Sequence, residues 1–357
     1  MLVETYLEVN LSNIKYNLNA MRNLDKDAMF CAVLKADAYG LGAVKIAKEI
    51  EGDIDYIAVA RLSEAIELRE NSIDTPILIL GYVPVENIEK CIKYNIDIAI
   101  YDLDLAKAIN SCIDNKIKGH LALDTGHSRI GFRDFEIDKI KELKKLDNID
   151  IISAFSHFST ADEEDKSYTK FQYETFNKII DKVKNDFDFK FVHISNDASA
   201  IAHNITKDMV RSGISLFGIY PSDYMRELNQ IEIKKTFELY SSVSFIKEVK
   251  KGTYISYGRT FKAPKNMKIA TISIGYADGY FRKFSNCGTM IINGKPCQVV
   301  GRVCMDQVMV DITGLDCKVG DKVIVYSDIY EEANKVDTIV YELMTSVSKR
   351  VPRIYKK

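Results

Sequence analysis

Residues 33–42 read Val33-Leu34-Lys35-Ala36-Asp37-Ala38-Tyr39-Gly40-Leu41-Gly42. They close an apolar run, Phe30-Cys31-Ala32-Val33-Leu34, on a lysine, and small residues, one tyrosine and two glycines follow. A lysine at the inner end of a buried strand is costly to desolvate and shifts its pKa readily, so it is either paired or used as an amine. Such amines form Schiff bases with aldehydes. A lysine that merely caps a strand end explains the segment equally well, so the rest of the chain has to separate the two readings.

Working outward, short apolar runs alternate with helical patterns through the first two-thirds of the chain. Strand candidates are residues 30–36, 56–60, 76–81, 96–101, 120–124, 151–157, 189–196 and 210–218. Amphipathic stretches fall between them at 43–51, 62–71, 85–94, 105–114, 136–146 and 165–186. This alternation predicts an α/β chain with an N-terminal (β/α)8 barrel of about 230 residues. A doubly wound open sheet is the alternative; it usually has a Gly-rich first turn, and Tyr39-Gly40-Leu41-Gly42 lacks the third glycine. After Gln230 the texture changes to alternating β-branched segments at 237–248, 267–274, 288–292, 297–303, 307–312 and 322–326. Lys251-Gly252, Asn293-Gly294 and Val319-Gly320 punctuate them, and Asn-Gly between apolar strands signals a hairpin. The expected organisation is therefore a strand at 1–10 pairing with the C-terminal domain, a barrel over 11–230 and a mostly β domain over 231–357. A terminal helix is expected near 336–348.

Composition narrows the class. With 357 residues, 46% of them hydrophobic, the chain can bury a sizeable core. A net charge of −2 gives no electrostatic reason to expect nucleic acid or an anionic membrane as partner. No apolar run approaches the roughly 20 residues of a membrane span. The acidic, alternating start MLVETYLEVNLSNI argues against a secretory signal. Seven cysteines, odd in number and without CxxC spacing, predict free thiols in a reducing cytoplasm and no zinc site.

In a barrel, active residues lie at the C-terminal ends of the strands. The run ends here carry Lys35 and Tyr39, then Asp124-Thr125-Gly126-His127-Ser128-Arg129, Ser156-His157, His193-Ile194-Ser195-Asn196 and Arg211-Ser212-Gly213-Ile214. Any one of these is explicable as a satisfied core polar group; five of eight ends converging on one face is harder to explain structurally. Loops after strands seven and eight of such barrels often hold phosphate, and Gly213 lets backbone N–H groups approach one closely.

The motifs VLKADAYGLG, DTGHSRIGF around Arg129, SHFSTADE around His157, VRSGISLFG around Arg211, ISYGRTF around Tyr257, SIGYADGY around Tyr276, GRVCMDQVMVD around Met305 and the final RVPRIY follow one another in a familiar order. The chain resembles the alanine racemases, two-domain amino-acid racemases dependent on pyridoxal 5'-phosphate, over essentially its whole length. The resemblance implies that Lys35 holds the cofactor as a Schiff base and acts as base on one face of the substrate Cα, with Tyr257 serving the other. Two bases are needed because a single one returns the proton to the side it came from. A phenol, with a pKa of about 10, is a poor base at pH 7 unless its phenolate is stabilised. The family arrangement sets His157 beside this tyrosine and Arg211 beyond it, facing the pyridine nitrogen. Tyr39, Asn196, Gly213 and Ile214 match cofactor-binding positions at the phosphate end. Arg129 and the Met305 N–H match contacts to the substrate carboxylate. Tyr257, Tyr276, Met305 and Asp306 belong to the β domain, so the resemblance also implies a head-to-tail homodimer with these residues acting in trans. D-Alanine for cell-wall precursors is the implied product, made in the cytoplasm from a small amino-acid substrate.

Three positions depart from the family pattern. Seven residues before Arg129, many members carry a carbamylated lysine, and this chain has Ala122. Arg129 then needs another partner: His127, a bound anion or water. The usual Asn-Ser pair after strand seven is Asn196-Asp197, and a carboxylate near a phosphate is repulsive unless turned away; Ser199 or backbone N–H groups are candidates for the missing contact. Lys349 replaces a tyrosine beside the substrate methyl pocket, which predicts activity on serine or a broader range of amino acids besides alanine. Two rival functions are a pyridoxal-phosphate decarboxylase on the same plan and a non-catalytic carrier of that cofactor. The first usually sets an acidic residue where Arg211 stands, and the second lacks the domain that supplies Tyr257.

Overall fold

The structure, a computed structural model, describes residues 4–357, so residues 1–3 of the expected first strand lie outside the described residues. The chain divides into two units. One comprises Asn13–Ala38 and Gly42–Lys235; the other comprises the N-terminal segment through Ser12, Tyr39–Leu41 and Thr236–Lys357. Strand β1 (Tyr6–Asn10) belongs to the latter.

The larger unit is built on β2 (Met29–Val33), β3 (Tyr56–Val59), β4 (Ile77–Ile79), β5 (Ile96–Ile100), β6 (Ile117–Ala122), β7 (Ile149–Phe155), β8 (Phe191–His193) and β9 (Met209–Ser212). They form one parallel sheet in the order β8-β7-β6-β5-β4-β3-β2-β9. The two ends of that path meet through a parallel bridge between Asn196 and Arg211, where the Arg211 N–H donates to the Ser195 carbonyl at 3.2 Å. A sequential parallel order that closes on itself is a barrel, and it excludes the doubly wound alternative. Parallel strands covered on both faces read as continuous apolar runs; β3, β4 and β5 are buried at every residue. Helices cover the outside. The longest, Ser167–Val183, buries Thr169, Gln172, Phe176, Ile179 and Val183 at three- and four-residue spacing, the stripe of an amphipathic helix.

Several expected bounds need correction. The first run stops at Val33, short of Lys35, because the chain turns left-handed there. The eighth run, expected over 210–218, is a strand only through Ser212; Ile214–Phe217 coils into a 3-10 turn that ends on Gly218 with φ +79°.

In the second unit, β10 (Phe237–Val249), β11 (Tyr254–Ile255), β12 (Phe261–Lys262), β13 (Met267–Ile272), β14 (Thr289–Ile292), β15 (Lys295–Gln298), β16 (Val308–Asp311), β17 (Lys322–Ile324) and β18 (Arg353–Lys356) follow in order. β1 pairs antiparallel with the long β10 and parallel with β18. β14 and β15 form the hairpin at Asn293-Gly294, whose positive φ values of 49° and 74° match the turn twist such hairpins require. The helix expected near 336–348 is Val340–Ser346, and a further helix that was not expected, Ile329–Lys335, precedes it. The Asp328 carboxylate caps the latter by accepting from the Tyr330 and Glu331 N–H groups, and Asp337 breaks the chain between them with φ +56°.

Candidate active site

Lys35 opens a turn in which Ala36, Asp37, Ala38 and Tyr39 all have φ between 52° and 56°. Left-handed backbone costs an ordinary residue about 1–2 kcal/mol, so four in succession require external support. Glu64 supplies much of it. Its Oε1 accepts from the Ala36 N–H at 2.6 Å, while Oε2 accepts from Ala60 and Arg61 N–H at 2.8 and 3.1 Å. Asp37 anchors the far side, its Oδ1 accepting from Ala43 N–H at 2.7 Å and its carbonyl from Gly42 N–H at 2.9 Å. The turn thus delivers a half-buried amine at the strand end. Burial lowers the pKa of Lys35, the Arg129 charge lowers it further, and Glu64 opposes both. The two neighbours act with opposite signs, so Arg129→Ala is expected to move Lys35 labelling by an amine reagent in the cofactor-free protein to higher pH. Glu64→Gln is expected to move it to lower pH. Shifts in the same direction would contradict this electrostatic account.

Beneath Lys35 a buried polar chain crosses the barrel. Arg211 Nη1 donates to His193 Nδ1 at 2.7 Å. Its Nη2 donates to the Ser156 and Ile194 carbonyls at 2.7 and 3.2 Å and reaches His157 Nδ1 at 3.4 Å. A guanidinium only donates, so His193 Nδ1 is an acceptor and its proton sits on Nε2. That nitrogen reaches His120 Nδ1 at 3.2 Å, which leaves His120 Nε2 to donate to Asp97 Oδ2 at 3.3 Å. The same carboxylate oxygen accepts the Tyr56 hydroxyl at 2.7 Å. Phe155 stacks on His193 at 5.3 Å between centroids. Burial holds the pKa of His193 well below the usual imidazole value and Arg211 adds to the effect, so the ring is neutral. His157 is pushed the same way, by burial first and by Arg211 next. Burial also brings Arg211 down to about 10, which leaves it cationic at neutral pH.

Arg129 is exposed and, among the described residues, forms no hydrogen bond or ion pair; His127 does not supply one. Ala122 lies in an apolar cluster with Ala99 and Phe155, and Leu80 and Tyr101 pack against it. Asn196 caps the helix Asp197–His203: its Oδ1 accepts from Ser199 N–H at 2.9 Å while Ser199 Oγ accepts from Asn196 N–H at 3.0 Å. Ser199 is fully buried in that reciprocal box. The Gly213 N–H donates to Asp197 Oδ2 at 3.0 Å.

A second group of expected residues sits on the C-terminal unit, exposed on cross-tied loops. Tyr257 is 69% exposed, Met305 53% and Tyr276 43%. Ser256, with φ +64°, donates from Oγ to the Arg302 carbonyl at 2.6 Å, which ties the Tyr257 turn to the 302–306 loop. That loop is tied in turn to the 275–278 segment, since Tyr276 and Ala277 N–H donate to the Cys304 and Met305 carbonyls, both at 3.0 Å. A Cβ at Gly275 would collide with those two carbonyls, which is why a glycine stands there. Arg350 locks the arrangement by donating to Asp278 Oδ1 at 2.7 Å and to Asp306 Oδ1 at 2.8 Å. Lys349 beside it is exposed. Sequence reasoning missed Glu64, Asp97, His120, Asp278 and Arg350 as members of these networks. The GYAD and RVPR segments carry two of them and were the available signal.

A closed parallel barrel with an amine, imidazoles and a buried guanidinium at its strand ends, continued by a β-rich unit, defines a two-domain barrel enzyme built for amine chemistry. Comparison with known proteins makes this specific. The sequence pattern described as "Alanine racemase, N-terminal domain" matches residues 9–221, and that of "Alanine racemase, C-terminal domain" matches residues 236–355. The chain is 42% identical to an alanine racemase of Clostridium tetani, with 98% of this chain and 95% of the relative aligned. It is 41% identical to one from Carboxydothermus hydrogenoformans, covering 98% and 99%. Among solved structures, the alanine racemase of Clostridium difficile 630 superposes with a TM-score of 0.94 at 41% identity, over 100% of this chain and 96% of that one. The Bacillus anthracis alanine racemase with bound L-Ala-P gives 0.95 at 33% identity, over 100% and 96%. The chain belongs to the alanine racemase family.

Proposed function

We propose that this protein interconverts the enantiomers of alanine using pyridoxal 5'-phosphate held by Lys35, with Lys35 and Tyr257 exchanging the α-proton on opposite faces of the substrate. The observation that carries this reading is the half-buried amine of Lys35, its pKa lowered, at a barrel strand end above a buried, donor-only Arg211. The donor set fits the cofactor: an amine for its aldehyde, a guanidinium for its ring nitrogen, and backbone N–H groups of the loop after β9 for its phosphate. When bound, the cofactor withdraws electrons and acidifies the α C–H.

The rest is the work of this chain's residues. Nη2 of Arg211 is committed to Ser156, Ile194 and His157 and one Nη1–H to His193, which leaves the Nε–H and the second Nη1–H as the donors that could face the ring nitrogen. Such a donor keeps that nitrogen unprotonated and restrains side reactions. Neutral His157 lies between Arg211 and the place where the Tyr257 hydroxyl would act. Arg129 and the Met305 N–H bind the substrate carboxylate; Tyr39, Asn196, Gly213 and Ile214 line the phosphate end; Tyr276 and Asp306 support the Tyr257 loop. Tyr257, Tyr276 and Met305 act on the barrel of a second copy in a head-to-tail homodimer. Their exposure in the single chain supports this, because clustered exposed apolar side chains mark interaction surfaces.

Among the described residues no helix is long and apolar enough to cross a membrane. All seven cysteines are free, and we place the enzyme in the cytoplasm. The serine or broader activity expected from Lys349 is not favoured, since the relatives matched at about 40% identity are alanine racemases. The test is a racemisation assay on protein loaded with pyridoxal phosphate. L-Alanine is expected to be converted with a higher kcat/KM than L-serine or L-lysine. Protein that retains the cofactor yet decarboxylates, or leaves alanine untouched, would overturn the proposal.

A further inference from the structure

We propose that the Asp197 carboxylate is a built-in competitor for the cofactor phosphate, holding for itself the Gly213 N–H that the phosphate would use and the Ser215 N–H beside it. The inference rests on the pyridoxal-phosphate reading above. Asp197 is buried, and its carboxylate accepts three hydrogen bonds, one from the last residue of β9 and two from the loop that follows. Oδ1 accepts the Ser212 hydroxyl at 2.6 Å, and Oδ2 accepts both the Gly213 N–H at 3.0 Å and the Ser215 N–H at 3.1 Å. Backbone N–H groups converging on one oxygen form an anion-binding concavity, and this one follows the last barrel strand, where barrels commonly hold phosphate.

The side chain of Asp197 is not needed to cap its own helix, because Asn196 and Ser199 already do so reciprocally. Its contacts are therefore those of an anion seated in a cradle. A phosphate entering that cradle must take N–H donors away from the carboxylate and lie beside it, and like charges at such range repel. A serine at this position would remove the charge and add a hydroxyl donor.

The experiment compares dissociation constants of the cofactor-free protein for pyridoxal phosphate and for pyridoxal, which lacks the phosphate, in the parent, Asp197→Ser and Asp197→Asn proteins. Both are read by absorbance of the bound aldehyde. The ratio of the two constants isolates the phosphate. It is expected to shift toward pyridoxal phosphate by about tenfold or more in Asp197→Ser, with pyridoxal affinity unchanged, and by less in Asp197→Asn. A ratio that is unchanged, or that shifts the other way, overturns the proposal and leaves Asp197 a structural strap. Asp197→Asn keeps the size and an acceptor oxygen, so it carries the test if the serine variant fails to fold. Thermal stabilisation of the cofactor-free proteins by inorganic phosphate, expected to be larger in the variants, reads the cradle without any aldehyde. If neither aldehyde binds, the cofactor reading fails, and the phosphate measurement still decides the role of Asp197.

Discussion

Lys35→Ala is expected to retain no pyridoxal phosphate through dialysis and to interconvert alanine enantiomers about 10,000-fold more slowly than the parent, the upper end of what a positioned base contributes. Two functions leave together, the covalent hold on the cofactor and one of the two bases, so the loss should be at least as large as that of any other single substitution. The variant is expected to fold. Lys35 is only half buried, and the turn it opens hangs from Glu64 and Asp37 through backbone groups that the substitution leaves in place. A small exogenous amine such as methylamine should restore part of the activity, because it can stand in for the missing side chain. Full retention of cofactor and rate in Lys35→Ala would sink the assignment, and unfolding midpoints in urea distinguish a chemical loss from a structural one.

Tyr257→Phe is expected to keep the cofactor absorbance while interconversion falls by about 100- to 10,000-fold. The net rates in the two directions must fall together, since the equilibrium constant between enantiomers is one. What should separate is exchange of the α-hydrogen with solvent deuterium. The enantiomer whose hydrogen faces Lys35 keeps exchanging, and the other slows with racemisation. Equal slowing of exchange for both enantiomers would contradict a two-base arrangement. Only the hydroxyl is removed, and Tyr257 is largely exposed on its own unit, so stability of the single chain should hardly change. Mixing Tyr257→Phe with Lys35→Ala subunits extends the test. If Tyr257 acts on the partner barrel, a heterodimer has one site with both residues intact and recovers activity that neither parent shows.

Much of this was legible in the sequence. The barrel strands could be read because most of their residues are buried, so they appear as largely apolar runs with few polar interruptions. Strand ends were harder. Nothing in Ala36-Asp37-Ala38-Tyr39 announces a left-handed turn, since none of these residues is a glycine; the conformation is held by Glu64, which lies 28 residues from Ala36. Site residues inside motifs were found through resemblance. The residues that hold them were not. Asp97 sits in the apolar run Ile96-Asp97-Ile98-Ala99-Ile100, and its meaning comes from His120 and Tyr56, on other strands. Asp197 was noticed as a departure, but its contacts with Gly213 and Ser215 exist only once the ring of strands closes.

The hydrogen-bonded series from Arg211 through His193 and His120 to Asp97 has a consequence for how such a chain can change by descent. Every link donates in the same sense, toward the carboxylate, so each member is acceptable only while its neighbours keep their polarity. A single substitution in the middle strands a donor or acceptor inside the barrel, where water cannot replace it. Viable routes away from this arrangement therefore require two or more coordinated replacements. Lys349 is exposed and belongs to no such series, so substitutions should accumulate singly at positions of that kind while the interior series persists or is exchanged as a block.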